Sequence, residues 1–527
     1  MRLSVVRATS AALLAAFLVA CGVSDADIDH WKRTVRGPGK IQAVLVGARY
    51  QRPLRVHAAR ALIEMHHPNA NGLEMLVAAM NAMPADDRES IIHELLPTLR
   101  SQMRGGDQQQ TNASGPGEAQ IRAKDAAYLL LRFASAADRQ ELASGLLDWV
   151  LADLNSRALA GQYTAEQIVA AIGANAVDRL VQAYSSNEDA IRVSTNISQL
   201  VNSVATDAGK DTAARRLVAV TQEVASPAMN ARLTTTATSM LSRGSPPGTP
   251  VPADRVARAT EQLRGAYLTV LYDAIRTLAR PPGVAYLITV AADPAVPLDR
   301  RKVVLSAVAG QVHANDAAAL MPIALATANT DIELRGIAVD RLGEARDQST
   351  LTQLWTLFDT TNGGEENNEY MLRWKTGEAI LKIGGPSLIA TFVQHLGTAR
   401  PAAFAGYTYA EINGFALSIG DFATPPRDVM RGLLATPSPF VKVLALFFLG
   451  AKGDATDLPR IDAIVPDATV LTGPGWGVAQ LQNVGRAAAH ARDGLRHTLN
   501  LPAVTTPAPP APPPAPAAPA AAAPAAH

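Results

Sequence analysis

Two stretches of this chain repeat the same spaced residues. Leu342-Gly343 is followed by Asp347 and Leu351, and Leu449-Gly450 is followed by Asp454 and Leu458. Arg335 and Lys442 each stand seven residues before their Leu-Gly pair. The copies lie 107 residues apart, room for three units of about 36 residues, and Arg373, 38 residues after Arg335, fits that step. A period of this size restricts the fold to arrays whose units bury their apolar faces against their neighbours. Length points the same way, because 527 residues are too many for one hydrophobic core.

Within the units the apolar period is helical. Leu54, Ala58, Leu62 and Met65 fall at i, i+4, i+8 and i+11, one face of a helix. Similar segments begin at Ile332, Tyr370 and Phe440, and each carries a basic residue near its start: Arg55, Arg335, Arg373 and Lys442. A second echo aligns Ile172, Gly173, Val177 and Val181 with Ile383, Gly384, Leu388 and Phe392. It predicts a helix ended by glycine and followed by another apolar face. Alternation of period two is nearly absent, so no sheet is expected. Aromatics are only 5% of residues, which suits close-packed, alanine-rich helices better than strands.

These helix–turn–helix units, with Leu-Arg heading the second helix, an Ala-rich middle and a Gly turn, resemble HEAT repeats. The likeness is clearest at 28–100 and 283–465 and fades over 120–275. The opening "DIDHWKRTVRGPGKIQAVLVGARYQRPLRVHAARALIEM" also resembles uncharacterised envelope lipoproteins with HEAT-like, armadillo-like helical repeats. The resemblance implies an all-α HEAT-like α-solenoid of stacked helix pairs. Its expected parts are N-terminal repeats over 21–104, a polar loop at 105–118 and degenerate helical repeats over 119–275, with a loop near 243–252. C-terminal repeats then fill 276–500, and a disordered Pro/Ala-rich tail follows at 501–527. That tail is extended by composition; it serves either as reach through the envelope or as a passive end.

The first twenty residues carry Arg2 and Arg7, then a wholly apolar run over 11–20, the layout of a secretory signal. The run is short for a bilayer span, which takes about 20 apolar residues. Leu18-Val19-Ala20-Cys21 resembles the bacterial lipobox read by signal peptidase II. The resemblance implies cleavage after residue 20 and a diacylglyceryl thioether and acylated amine on Cys21, the lipid-attachment residue. Two or more acyl chains give a stable membrane anchor where one does not. Gly22, rather than aspartate, favours the outer membrane by the sorting rule of enteric bacteria, with the body facing the periplasm or the cell surface. Competing readings of the same residues are an ordinary secretory signal and an uncleaved helical anchor.

Chemistry is harder to find. The 48 basic and 47 acidic residues give a net charge of +1, which argues against a nucleic-acid partner. Cys21 is the single cysteine, so intrachain disulfides are excluded and a Cys-based zinc site is not expected. His93-Glu94 opens a zinc-protease-like "HELLP", but Pro97 stands where the second histidine belongs. His66-His67 reads as a loop pair after a helix. Gly37-Pro38-Gly39-Lys40 lacks the spacing and Ser/Thr of a phosphate loop and reads as a helix–helix turn. "GPGWGV" at 473–478 reads as a turn with Trp476 packed on the last repeat, and Asp359 to Glu366 as a solvated loop. The recurrent Arg55, Arg335, Arg373 and Lys442 are expected to pair with acids of adjoining repeats; a basic binding groove is the alternative.

The expectation is therefore an exported, membrane-anchored scaffold or adaptor that binds a protein partner. No catalytic residue, metal, cofactor or small-molecule substrate is expected, so the chain is not expected to be an enzyme. The alternatives are an architectural protein touching peptidoglycan through its tail, and an enzyme with a cryptic site between repeats.

Overall fold

The computed structural model describes residues 23–105, 115–243, 250–326, 331–363, 368–398, 400 and 404–502. Within them the regular structure is helical and contains no strand; His67–Ala70 and Val470–Asn483 are isolated bridges. No helix among the described residues is long and apolar enough to cross a membrane. The chain divides into two compact units, residues 1–287 and 288–527.

The first unit opens with α1 (Asp25–Trp31), α2 (Gly37–Val46), α3 (Arg52–Glu64), α4 (Gly72–Ala82) and α5 (Ala85–Arg104). Ser24 begins α1 with a capping box to Asp27. The Gly37-Pro38-Gly39-Lys40 stretch is the first turn of α2 rather than a turn between helices. Proline is tolerated there because its missing N–H has no helical partner anyway. On α3, Ala58 and Leu62 are buried and Leu54 half-buried, and Met65, just past its end, is buried too, the face the spacing demands. Next come α6 (Glu118–Leu130), α7 (Ala136–Ala152), α8 (Leu154–Arg157), α9 (Ala165–Ile172) and α10 (Val177–Ala183). The unit continues through α11 (Glu188–Arg192), α12 (Ser194–Val204), α13 (Asp207–Ala225), α14 (Asn230–Arg243) and α15 (Ala253–Leu278). Helix pairing lapses here: α15 runs for 26 residues, and α11 to α14 all pack on it. Leu268, Leu271, Ile275 and Leu278 form its buried stripe.

The unit boundary falls within α16 (Pro281–Ala292). The second unit holds α17 (Leu298–Ala307), α18 (Ala317–Leu325), α19 (Ile332–Ala345), α20 (Leu351–Thr360), α21 (Glu369–Gly384) and α22 (Ile389–Gly397). It ends with α23 (Tyr409–Gly420), α24 (Arg427–Leu433), α25 (Pro439–Lys452), α26 (Leu458–Asp462) and α27 (Val484–Thr498). Pairs form as α18/α19, α20/α21, α24/α25 and α26/α27, while α19, α21, α23, α25 and α27 stack one on the next.

The repeated residues have a local cause in this unit. Asp347 and Asp454 each follow a long helix and cap a short 3-10 turn that leads into the next one. Asp347 accepts from the Ser349 N–H and hydroxyl at 3.0 and 2.7 Å; Asp454 accepts from those of Thr456 at 2.9 and 2.6 Å. Gly343 and Gly450 do not make the expected Gly turn. They lie inside α19 and α25, where the next stacked helix crosses. A Cβ at Gly343 would stand 3.1 Å from the Ala379 Cα, and one at Gly450 only 2.9 Å from the Ala491 carbonyl oxygen.

The second echo is real but its register shifts by one. Gly173 (φ 69°, ψ −145°) and Gly385 (φ 60°, ψ −154°) adopt the same glycine-only conformation at a helix end. A four-residue 3-10 turn follows each, then α10 or α22. Gly173 therefore corresponds to Gly385, not Gly384, and Leu180 to Phe392, both fully buried. Two adjacent glycines at 384–385 concealed the shift.

Candidate functional site

Cys21 lies outside the described residues, as does most of the Pro/Ala tail. The recurrent cations are placed, and they are spent on structure. The last carbonyls of a helix lack intrahelical partners, and an arginine early in the following helix supplies donors. Arg55 Nε reaches the Leu45 carbonyl at 2.9 Å, Arg335 Nε that of Ala324 at 3.0 Å, and Arg373 Nη1 that of Thr361 at 3.0 Å. Arg139 and Arg301, which sequence reasoning missed, do the same to Leu131 and Ala291 at 3.0 and 2.7 Å. Acidic partners are added at Arg55–Asp87 (3.0 Å), Lys442–Asp467 (2.8 Å) and Arg373–Glu411.

The Arg373–Glu411 pair is wholly buried. Two parallel bonds join it, at 2.7 and 2.9 Å, and Arg373 also donates to the Gly406 carbonyl at 3.1 Å. The guanidinium lies 4.8 Å from the Phe404 ring centre and 5.1 Å from that of Tyr407. Glu411 in turn accepts from the Thr408 N–H and so caps α23. Trp476 sits in its expected turn, packs on Tyr409 and Phe447, and donates Nε1–H to the Tyr407 carbonyl at 2.8 Å.

Several histidines pair with carboxylates of other elements. His93, on α5, meets Asp138 of α7 at 2.8 Å, and that hydrogen bond raises its pKa. His66 meets Glu118 at 2.5 Å, while His67 accepts from the Asn69 N–H. Asp359 belongs to α20 rather than to a solvated loop; it pairs with His395 at 2.8 Å and with Arg400 at 3.2 Å. Among the described residues, no group of three or more His, Cys, Asp or Glu could hold a metal ion.

A surface feature with room for a ligand lies in the first unit, where the repeat fades. A groove of about 1030 Å³ runs between the end of α6, one flank of α7, and the α9–α10 junction. Arg132, Arg139 and Arg179 line it against one acid, Asp178, and its amides come from Gln140, Asn175 and Gln182. Leu131, Leu147 and Ile172 supply apolar wall. The Gly173 turn sets α9 apart from α10 and so shapes one side. The other side is held by a buried pair on α6. Lys124 Nζ donates to the carbonyls of Ala160 and Tyr163, both at 2.6 Å, and Asp125 accepts from the Gln162 N–H at 3.0 Å. Burial pulls the Lys124 ammonium below the usual lysine range. These bonds fix Tyr163, whose ring stacks at 4.2 Å on the groove residue Tyr128.

Sequence reasoning did not single out Arg132 or Arg179. The signal available was the arginine spacing in the very segment where the repeat becomes degenerate. No family model matches the chain, and no curated protein matches it.

Proposed function

We propose that this chain is an exported bacterial lipoprotein, anchored through acylated Cys21, that acts as a protein-binding scaffold or adaptor in the cell envelope. In this reading its helix pairs continue as a HEAT-like solenoid. Solenoids present long surfaces between stacked helices, and such surfaces suit extended partners. The observation that carries the reading is the groove on α7, where guanidiniums, side-chain amides and apolar wall share one open surface. That mixture suits a polypeptide, whose backbone needs donors and acceptors and whose side chains need pockets. The anchor rests on Arg2, Arg7, the apolar run and Leu18-Val19-Ala20-Cys21.

The test is a crosslinked pull-down of the tagged chain from native membranes, beside a Cys21→Ala control, with labelled palmitate followed in parallel. The reading expects label on the wild type only, and stoichiometric protein partners that diminish in the control. An unlabelled wild type refutes the anchor; a labelled wild type that holds no partner refutes the scaffold.

A further inference from the structure

The opposite flank of α7 carries a second cavity. It is smaller, about 160 Å³, and lies toward α5 and α8. Three arginines line it, Arg100, Arg104 and Arg157, against the single acid Asp148. Successive residues of a helix are about 100° apart. Ala136, Ala143 and Leu147 therefore face the larger groove, while Gly145, Trp149 and Ala152 face the smaller cavity. The exposed ridge between them bears Glu141 and Ser144, with Asp148 half-buried at its side.

Charge on these two flanks departs from that of the chain. Six guanidiniums face three carboxylates, Asp148, Asp178 and Glu141 of the ridge, in a protein whose net charge is +1, and one of the six, Arg139, is held by the carbonyls of Leu131 and Ala134. The neutralisation present is partial and shared. Asp148 serves both Arg179 at 2.7 Å and Arg104 at 4.0 Å, and Arg100 reaches only Glu141, at 3.3 Å. Arg157 lies 5.2 Å from the Trp149 ring centre and donates to the Trp149 carbonyl at 3.0 Å. An independent observation concerns Trp149 itself. It is 2% exposed and lines the small cavity, and its indole Nε1–H has no acceptor. That nitrogen is itself sealed from solvent, so what the cavity offers a ligand is its guanidiniums and not the indole N–H.

We propose that the two flanks of α7 bind an extended acidic segment of a partner protein. Spaced carboxylates of that segment meet the arginines on either side of the ridge, and its backbone meets Gln140, Asn175 and Gln182. The ridge carboxylates Glu141 and Asp148 select against a continuous polyphosphate such as nucleic acid, which would have to lie across them. A segment with separated charges straddles them. The inference rests on the scaffold reading and names the partner's chemistry.

The test titrates the full-length chain into a fluorescent twelve-residue peptide alternating Asp or Glu with Ala or Ser. Comparison ligands are the same peptide with Asn and Gln, and a single-stranded oligonucleotide. We expect saturable, salt-sensitive binding of the acidic peptide, at least tenfold tighter than that of its amide twin. The double variant Arg100→Gln/Arg104→Gln, at one half-buried and one exposed position, should lose about tenfold, with its helical circular dichroism unchanged. Asp148→Asn, which removes a competing carboxylate, should tighten binding severalfold. Equal binding of the amide peptide, an unaffected double variant, or tighter binding of the oligonucleotide overturns the proposal. If partners recovered by crosslinking stay bound to the double variant, this site fails while the scaffold reading stands. If the acidic peptide binds as expected but membranes yield no partner, the scaffold reading fails and the site stands.

Discussion

Residues 332–498 and residues 118–183 handle the same raw materials differently. In the first stretch the Leu-Gly and Asp signals recur, five helices stack in order, and an arginine is buried whole against a glutamate under aromatic rings. In the second the repeat is degenerate, arginines line open cavities, and a lysine–aspartate pair pins a loop. In the regular stretch Gly343 and Gly450 let stacked helices approach closely, and Arg335, Arg373 and Lys442 are each met by an internal acceptor. Where repetition lapses, arginines stand at open cavities, held by backbone carbonyls and shared carboxylates.

Substituting one arginine in each stretch should separate them most widely. Arg373→Met leaves Glu411 buried without its counter-charge and should cost about 3–5 kcal/mol. Arg139→Met removes bonds to two carbonyls from an exposed side chain and should cost only about 0.5–1.5 kcal/mol. Urea denaturation followed by tryptophan fluorescence measures both, and equal losses would erase the distinction drawn here. Glycines inside helices give the next contrast. Gly450→Ala drives a methyl into the backbone of α27 and should cost about 1–3 kcal/mol. Gly145→Ala meets only the flexible end of Met103, at 3.1 Å, so the better helix propensity of alanine should leave stability level or raised. Melting temperatures decide this, and a destabilised Gly145→Ala would mean that α7 is packed as tightly as α25.

One feature common to both units should respond alike. Gly173→Ala and Gly385→Ala each force a side chain into the same positive-φ conformation and should each cost about 1–2 kcal/mol. A neutral result at either position would undo the structural equivalence of the two turns.

The smallest effects come from pH, with opposite signs. Lys442, aided by Thr469, pulls the Asp467 pKa from 3.8 down to about 2. The stabilisation from that carboxylate is present above pH 3.8 and is lost as pH falls toward 2. Asp467→Asn should flatten this part of the acid limb. The His93 pKa is raised above 6.5 by its hydrogen bond to Asp138, so its stabilisation is complete below that pH and is lost as pH climbs through the raised value. An imidazole NMR titration should place His93 above an exposed histidine, and Asp138→Asn should return it to the ordinary value.

Much of the helical architecture was legible as sequence because its causes are local. Apolar spacing places Ala58, Leu62 and Met65 inward, Asp347 and Asp454 cap the turns that follow them, and the scarcity of period-two runs leaves no strand among the described residues. Other features depended on what lies across a contact. Gly343 and Gly450 read as turn residues until the next helix is seen to cross them. Gly384 and Gly385 stand side by side, and here the cause is local: it is Gly385, pushed out of the helical region by Pro386 after it, that takes the positive φ. Arg55, Arg335 and Arg373 repeat with the helices, so their spacing was visible, but their acceptors are backbone carbonyls that no side-chain pattern records. The α7 cavities lie at the far end of this scale. Arg100, Arg132, Arg157 and Arg179 come from separate elements, and only the tertiary fold brings them to one helix, because side-chain chemistry is written along the chain whereas a site is assembled across it.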